Sequence, residues 1–213
     1  MKKFILLIWV SALMLFAPAI TSAQLEWSKS TISSPDAVGI RAVLIRNNGE
    51  IFAFNADGKY FVSNDGVVWN SFEPSYQMGI IQEVVEDHGL VYVASTTGIY
   101  TWNNQYWDKE LDGQFFGLVS TPTALLAVGK EAYCKYGSYW IQRYSLQNFL
   151  TDEYAYFSAA AAMDGKLVAF MNDNDSSSQN TTPIVSIDEG VTWASESTLP
   201  LSVATDATMA SNG

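Results

Sequence analysis

One cysteine and one histidine are all that 213 residues contain of the two side chains most used for cross-linking and metal capture. With Cys134 alone, no intrachain disulfide can form, so stability has to come from packing. His88 stands before a glycine, and a single imidazole builds neither a histidine-based metal site nor a Ser-His-Asp triad. No metal and no cofactor are expected. Basic residues are scarce too, with 11 Lys and Arg against 22 Asp and Glu and a net charge of −11. Only Arg41, Arg46 and Arg143 supply guanidinium. Nucleic acid requires a clustered basic surface and is therefore excluded as a partner; an acidic balance instead suits the solubility of an exported protein. Helix signals are missing, because no segment keeps a 3.6-residue apolar period between caps.

What is present begins with a leader. Lys2 and Lys3 precede an apolar run over residues 4–16, and the small residues Thr21, Ser22 and Ala23 follow. The run is shorter than the roughly 20 residues needed to cross a bilayer, and nothing after it is long or apolar enough to do so. Residues 1–23 read as a signal peptide cleaved after Ala23, which implies a secreted or periplasmic protein with no membrane span. Losing Lys2 and Lys3 leaves nine basic residues against 22 acidic ones.

Residues 24–213 carry a repeat whose phase is set by tryptophan. Trp27, Trp69, Trp107, Trp140 and Trp193 recur in similar surroundings at intervals of 42, 38, 33 and 53 residues. Residues 99–107 align without a gap on residues 132–140. Upstream of each copy a polar residue and Gly precede an apolar run, as at Asn48-Gly49, His88-Gly89 and Asp164-Gly165; Pro122-Thr123-Ala124 takes that place once. Each unit parses as four short strands. The first strands are expected over 42–46, 81–85, 117–120 and 158–162, and the last passes through Trp. Units of about 40 residues, all β and rich in aromatics, predict a β-propeller of four-stranded antiparallel blades. A β-sandwich would explain strands but not tryptophans at matched positions.

The ends give a further expectation. Residues 24–29 resemble a lone outermost strand and residues 202–211 a lone innermost one, with Asn212-Gly213 where the Gly turn should stand. About four complete blades are therefore expected, with the chain stopping inside a further blade, so that 24–213 is part of a longer propeller.

Ser186-Ile187-Asp188-Glu189-Gly190-Val191-Thr192-Trp193 is the sharpest motif. A Ser hydroxyl and an Asp carboxylate two residues on can accept the N–H groups of a following turn. Gly190 can take positive φ, and Trp193 can pin the next strand. Ser63, Asp65, Gly66 and Trp69 form a copy one residue shorter. These residues resemble the Asp-box (BNR repeat) of the sialidase-like β-propeller superfamily. The resemblance implies a structural box between the third and fourth strands of a blade, with ligands meeting the opposite face.

By that geometry the ligand face holds Asp36, Asp57, Glu73 with Tyr76, Asp112, Asp152 with Glu153, Asp173 with Asp175, and Glu196, with Lys59 and Lys130 nearby. Paired carboxylates are what glycoside hydrolysis uses, and Asp112, Asp152 and Glu153 are the candidate catalytic acids. Sialidase chemistry itself is not expected: Arg41 is followed by Ala42-Val43 where the family has Ile-Pro, and Arg41 and Arg46, five apart on one strand, would point to opposite faces. Residues 173–178 imitate the start of a calcium loop but have Ser178 where Gly is wanted. Cys134 reads as a packing residue. The leading expectation is an exported, monomeric, non-catalytic propeller that binds a glycan or an extracytoplasmic protein. The alternatives are a sialidase-like or xyloglucanase-like glycoside hydrolase completed by residues outside this chain, and the sensor or adhesin part of a larger surface protein.

Overall fold

Short β-prone runs separated by polar-Gly turns set each strand beside the one before it within a sheet, and the chain folds into successive meanders. The computed structural model describes residues 32, 39–74, 77–145, 156–163, 166–173 and 180–195. These belong to one compact unit spanning residues 31–213. The leader 1–23, the proposed strands in 24–29 and 202–211, and Asp36, Tyr76, Asp152, Glu153, Asp175 and Glu196 lie outside the described residues.

The described residues contain 16 strands and no helix. The first sheet is β1 (Ile40–Ile45), β2 (Ile51–Asn55), β3 (Tyr60–Ser63) and β4 (Asn70–Phe72). The second is β5 (Ile81–Asp87), β6 (Leu90–Ser95), β7 (Gly98–Trp102) and β8 (Trp107–Asp112). The third is β9 (Phe115–Ser120), β10 (Leu125–Gly129), β11 (Glu131–Tyr136) and β12 (Tyr139–Ser145). The fourth is β13 (Tyr156–Met163), β14 (Lys166–Asp173), β15 (Asn180–Ser186) and β16 (Ala194–Ser195). Each sheet is antiparallel with strands in chain order. The innermost strands β1, β5, β9 and β13 stand side by side in that order.

Three apolar cores fill the three spaces between sheets. Phe52, Phe54 and Tyr60 of the first meet Ile81, Tyr100 and Trp107 of the second. Tyr92 and Ile99 meet Phe115, Leu118 and Leu125. Leu126 and Cys134 meet Phe157, Leu167 and Ile184. The outer tryptophans face backwards: Trp107 packs edge-on to Phe54 at 5.8 Å and Tyr60 at 5.6 Å in the sheet before its own, each such pair adding about 0.5–1.5 kcal/mol beyond area burial. Trp140 and Trp193 likewise pack against the cores they share with the preceding sheet. The gapless alignment is physically real, since Trp107 pairs Trp102 as Trp140 pairs Lys135.

The innermost strands β1, β9 and β13 begin two residues before their expected starts, while β5 begins as expected and runs two residues longer. All four, β5 included, carry a β-bulge near the start. Register passes from Ile40 to Ala42, Ile81 to Glu83, Phe115 to Gly117 and Phe157 to Ala159, leaving Arg41, Gln82, Phe116 and Ser158 unpaired in the four ladders. A bulge breaks the alternation on which strand limits are read. It also corrects the argument about Arg41 and Arg46: β1 stops at Ile45 and is bulged at Arg41, so period-2 alternation does not connect the two. They are apart for another reason, Arg41 being exposed at one end of β1 and Arg46 buried just past the other.

Candidate functional site

The turn between the third and fourth strands is built alike in the first and fourth sheets. Ser186 Oγ accepts the Gly190 N–H at 2.8 Å and donates to Asp188 Oδ1 at 2.8 Å. Asp188 accepts the Thr192 N–H at 2.8 Å and the Thr192 hydroxyl at 2.6 Å. These Thr192 bonds, side chain first, hold the Asp188 carboxyl at about 2, below its ordinary 3.8. The Trp193 indole N–H returns to Gly190 O at 3.1 Å. In the shorter copy Ser63 Oγ accepts the Gly66 N–H at 2.9 Å, Asp65 accepts the Val67 and Val68 N–H groups at 2.8 Å, and Trp69 donates to Gly66 O at 3.2 Å. The bonds from Val68 and then Val67 lower the Asp65 pKa. The Asp65 and Asp188 carboxylates and the Ser63, Ser186 and Thr192 hydroxyls are thus spent on their own turns.

The fourth-sheet turn is also keyed to the sheet before it. Gly190 has φ +82°, and a Cβ there would stand 3.2 Å from Cys134 Sγ, while the Cys134 thiol donates to Glu189 O at 3.4 Å. Burial pushes the Cys134 thiol pKa up, so this cysteine is a contact and a poor nucleophile.

On the same end of the sheets, polar ties pass from one to the next. Arg46 binds Glu50 at 2.7 Å, Glu86 at 3.3 Å and Gly89 O at 2.7 Å; Ser120 Oγ donates to Asp87 at 2.6 Å. Farther out, Lys135 pairs with Glu110 between the second and third sheets, Glu110 also accepting the Trp140 indole N–H at 2.9 Å and the Thr101 hydroxyl at 2.7 Å. Burial raises the Glu110 pKa, but these three donors outweigh it and leave the carboxyl below its usual value. Arg143 lies over the Tyr136 ring at 5.1 Å. The three arginines are thus dispersed over the molecule.

The opposite end carries the loops between second and third strands and those joining one sheet to the next. Of the acids expected there, Glu73 is 71% exposed and pairs with Lys59 at 2.8 Å. Asp112 is 91% exposed and pairs with Lys109 of its own strand. Asp57 is exposed beside the buried Asn55, whose side chain caps the turn by accepting the Asp57 and Lys59 N–H groups. Lys130 is exposed, and Asp173 closes β14 opposite Asn180. Glu73 and Asp112 are therefore each tied off by a lysine, and Asp57 is left in solvent. Among the described residues no group of three His, Cys, Asp or Glu could hold a metal ion. The connection into β5 is pinned by Thr97, whose hydroxyl donates to Met78 O at 2.6 Å.

Along the innermost strands, toward the end that carries the box turns, lies an open cavity of about 630 Å³ lined by Leu44, Val85, Leu118, Val119 and Ala161, with Glu83 and Glu86 as its carboxylates. The sequence reading did not single out this cavity or the bulged residues at the starts of the innermost strands. The four bulged residues are of four unrelated types, so no motif marked them; only the ladder register does.

Four-stranded antiparallel meanders packed face to face, with their innermost strands side by side, define a β-propeller. Solved structures agree with that assignment. Virginiamycin B lyase from Staphylococcus aureus superposes with TM-score 0.56 at 12% identity, over 74% of this chain and 55% of the lyase. The extracellular domain assigned to a one-component system of B. thetaiotaomicron gives 0.59 at 10%, over 78% and 23%. YCF48 bound to D1 peptide gives 0.56 at 16%, over 80% and 56%. The chain thus spans little more than half of the lyase and YCF48 and about a quarter of the extracellular domain. No protein-family model and no curated protein sequence matches the chain.

Proposed function

We propose that the chain is an exported, non-catalytic β-propeller of Asp-box type that works as a monomer and binds a glycan or an extracytoplasmic protein through the loop face opposite the box turns. The observation that carries this reading is the separation of polar work between the two ends. The Asp65 and Asp188 carboxylates are consumed by their own turns, whereas the loop-face acids Asp57, Glu73 and Asp112 are exposed, Glu73 and Asp112 each paired with a lysine. Glycoside hydrolysis would need two carboxylates facing one another across a bond; a recognition face needs exposed, dispersed polar groups around an apolar core. Export is supported by the leader over 1–23, by likeness to an extracellular domain, and by the lack, among the described residues, of a helix long and apolar enough to cross a membrane. The same fold holds a peptide in YCF48.

Glycan and peptide arrays probed with the folded chain, with Asp112→Ala and Asp152→Ala as companions, test the reading. A ligand retained by the parent and weakened by either variant is expected. No binding at all, or turnover of a fluorogenic sialoside or of xyloglucan, would overturn it.

A further inference from the structure

The matched tryptophans differ in where the indole N–H goes. In the boxed first and fourth sheets, Trp69 and Trp193 return it to a glycine carbonyl of their own turn. The third sheet has no box: β11 and β12 are joined by the two-residue turn Gly137-Ser138, with Tyr136 paired to Tyr139. Trp140 donates instead to Glu110 Oε2 of the second sheet at 2.9 Å. Glu110 can meet it because β8 is bulged there: register passes from Lys109 to Leu111, which leaves Glu110 without a ladder partner and re-aims its side chain. In the fourth sheet the box lies against the sheet before it, Glu189 O on the Cys134 thiol. Thr101 is the counterpart of Cys134 one sheet earlier, and it is met by Glu110 of its own sheet at 2.7 Å. The place a box would take stays open. A pocket of about 450 Å³ lies there between the second and third sheets, lined by Leu90, Tyr92, Glu110, Lys135, Ser138 and Trp140, and a Cβ on Gly137 would meet nothing within 4 Å.

This volume falls within the range of about 300–1,000 Å³ usual for small-molecule sites. The charges in it cancel. Lys135 and Glu110 are ion-paired and only 10% and 22% exposed, so neither an anion nor a cation gains a net field. The ammonium also stands over the Tyr92 ring at 4.8 Å and the Trp140 ring at 5.8 Å, which occupies the π surfaces a cationic ligand would seek. What remains is directional hydrogen bonding. Lys135 gives two of its three N–H groups to Glu110 and to Tyr92 Oη, the latter at 3.1 Å. Among the described residues the Tyr92 O–H and the exposed Ser138 hydroxyl have no acceptor. Glu110 receives Lys135, Trp140 and Thr101, which leaves one of its roughly four lone-pair positions. Leu90 and Trp140, both half-buried, add apolar surface beside these groups. Three donors, one acceptor and an apolar wall without net charge match a neutral ring with hydroxyls on its edge and C–H groups on its face.

We propose that the pocket between the second and third sheets binds one or two rings of a neutral saccharide, held by Lys135, Tyr92, Ser138 and Glu110 against Leu90 and Trp140. It lies toward the box-turn end, apart from the loop face of the proposed function, and does not rest on that reading. The test titrates the full chain with glucose, galactose, N-acetylglucosamine, cellobiose and lactose by saturation-transfer NMR, with glucuronate, choline and a capped Gly-Ala-Gly peptide as charged and peptide probes. At least one neutral sugar should bind with a Kd of about 1 mM or tighter. Tyr92→Phe and Ser138→Ala should each weaken it about three- to tenfold. Ser138→Trp, which fills the open side of the pocket from an exposed turn, should abolish binding with the thermal midpoint unchanged, and Asp112→Ala should leave it intact. Absence of binding by all five sugars, tighter binding of glucuronate, choline or the peptide, or a folded Ser138→Trp chain that still binds would each overturn the proposal. Sugar binding lost in Asp112→Ala and kept in Ser138→Trp would do the same while supporting the loop-face reading.

Discussion

Ser186→Ala is the sharpest test of how the box turn holds the fourth blade. Ser186 has no exposed surface, and its Oγ is the acceptor for the N–H of buried Gly190 at 2.8 Å and, more weakly, for that of Asp188 at 3.4 Å. Alanine leaves the Gly190 N–H buried with no acceptor, which costs about 1–3 kcal/mol. Asp188 keeps both bonds from Thr192, so the turn should loosen and not open. A loss of about 2 kcal/mol corresponds to about 4–8 °C in Tm for a domain of this size. Ser63→Ala provides the internal comparison. Ser63 makes the same bond to Gly66 at 2.9 Å, but Gly66 is half-buried and water can replace the hydroxyl, so a loss of about 1 kcal/mol or less is expected. Urea unfolding followed by tryptophan fluorescence reads both at constant m. Equal losses in the two variants, or a Ser186→Ala loss below about 0.5 kcal/mol, the level of an ordinary surface change, would refute the reasoning.

Other outcomes follow from the same contacts. Gly190→Ala forces a Cβ into Cys134 Sγ at positive φ and should lower stability by about 2 kcal/mol or more in the same urea series. Asp188 has a folded pKa of about 2 against 3.8, so its contribution is full above its unfolded pKa and is lost as pH falls from about 4 to about 2. The stability gap between the parent chain and Asp188→Asn should shrink over that window, and a gap constant down to about pH 2 would contradict the assignment. Lys135 and Glu110, 10% and 22% exposed, should show about 1–3 kcal/mol of coupling in a Lys135→Met, Glu110→Gln double-mutant cycle. Cys134 should resist iodoacetamide in the folded chain and react once urea unfolds it, as mass spectrometry would show.

Much of the architecture could be read before any coordinates, because it rests on repetition. Tryptophans at matched spacing and polar-Gly turns mark where each meander restarts, and Trp107 and Trp140 do occupy equivalent strand positions. The residues meant to meet a ligand were harder to see. Asp57, Glu73 and Asp112 could be placed on an end from topology alone, but whether an acid meets another acid or a lysine depends on loop geometry, and Lys59 and Lys109 take Glu73 and Asp112 for themselves. Arg46 illustrates the limit from the other side. In sequence it reads as the last residue of a strand; in space it lies beyond β1 and clasps Glu86, forty residues away. The bulges were invisible for a simple reason: an unpaired residue leaves no trace in composition, only a phase slip that two-residue alternation cannot distinguish from an ordinary strand end.

The repeated bulge has a consequence for how such a protein can change. A side chain inside the ladder is committed twice, to a partner strand and to the core of an adjoining blade, so altering it disturbs register or packing. Arg41, Gln82 and Phe116 have no ladder partner to disturb. One blade can therefore exchange its bulged residue while the others keep theirs, and the scaffold acts like a dial with independently settable digits, each moved without retuning the mechanism that carries it.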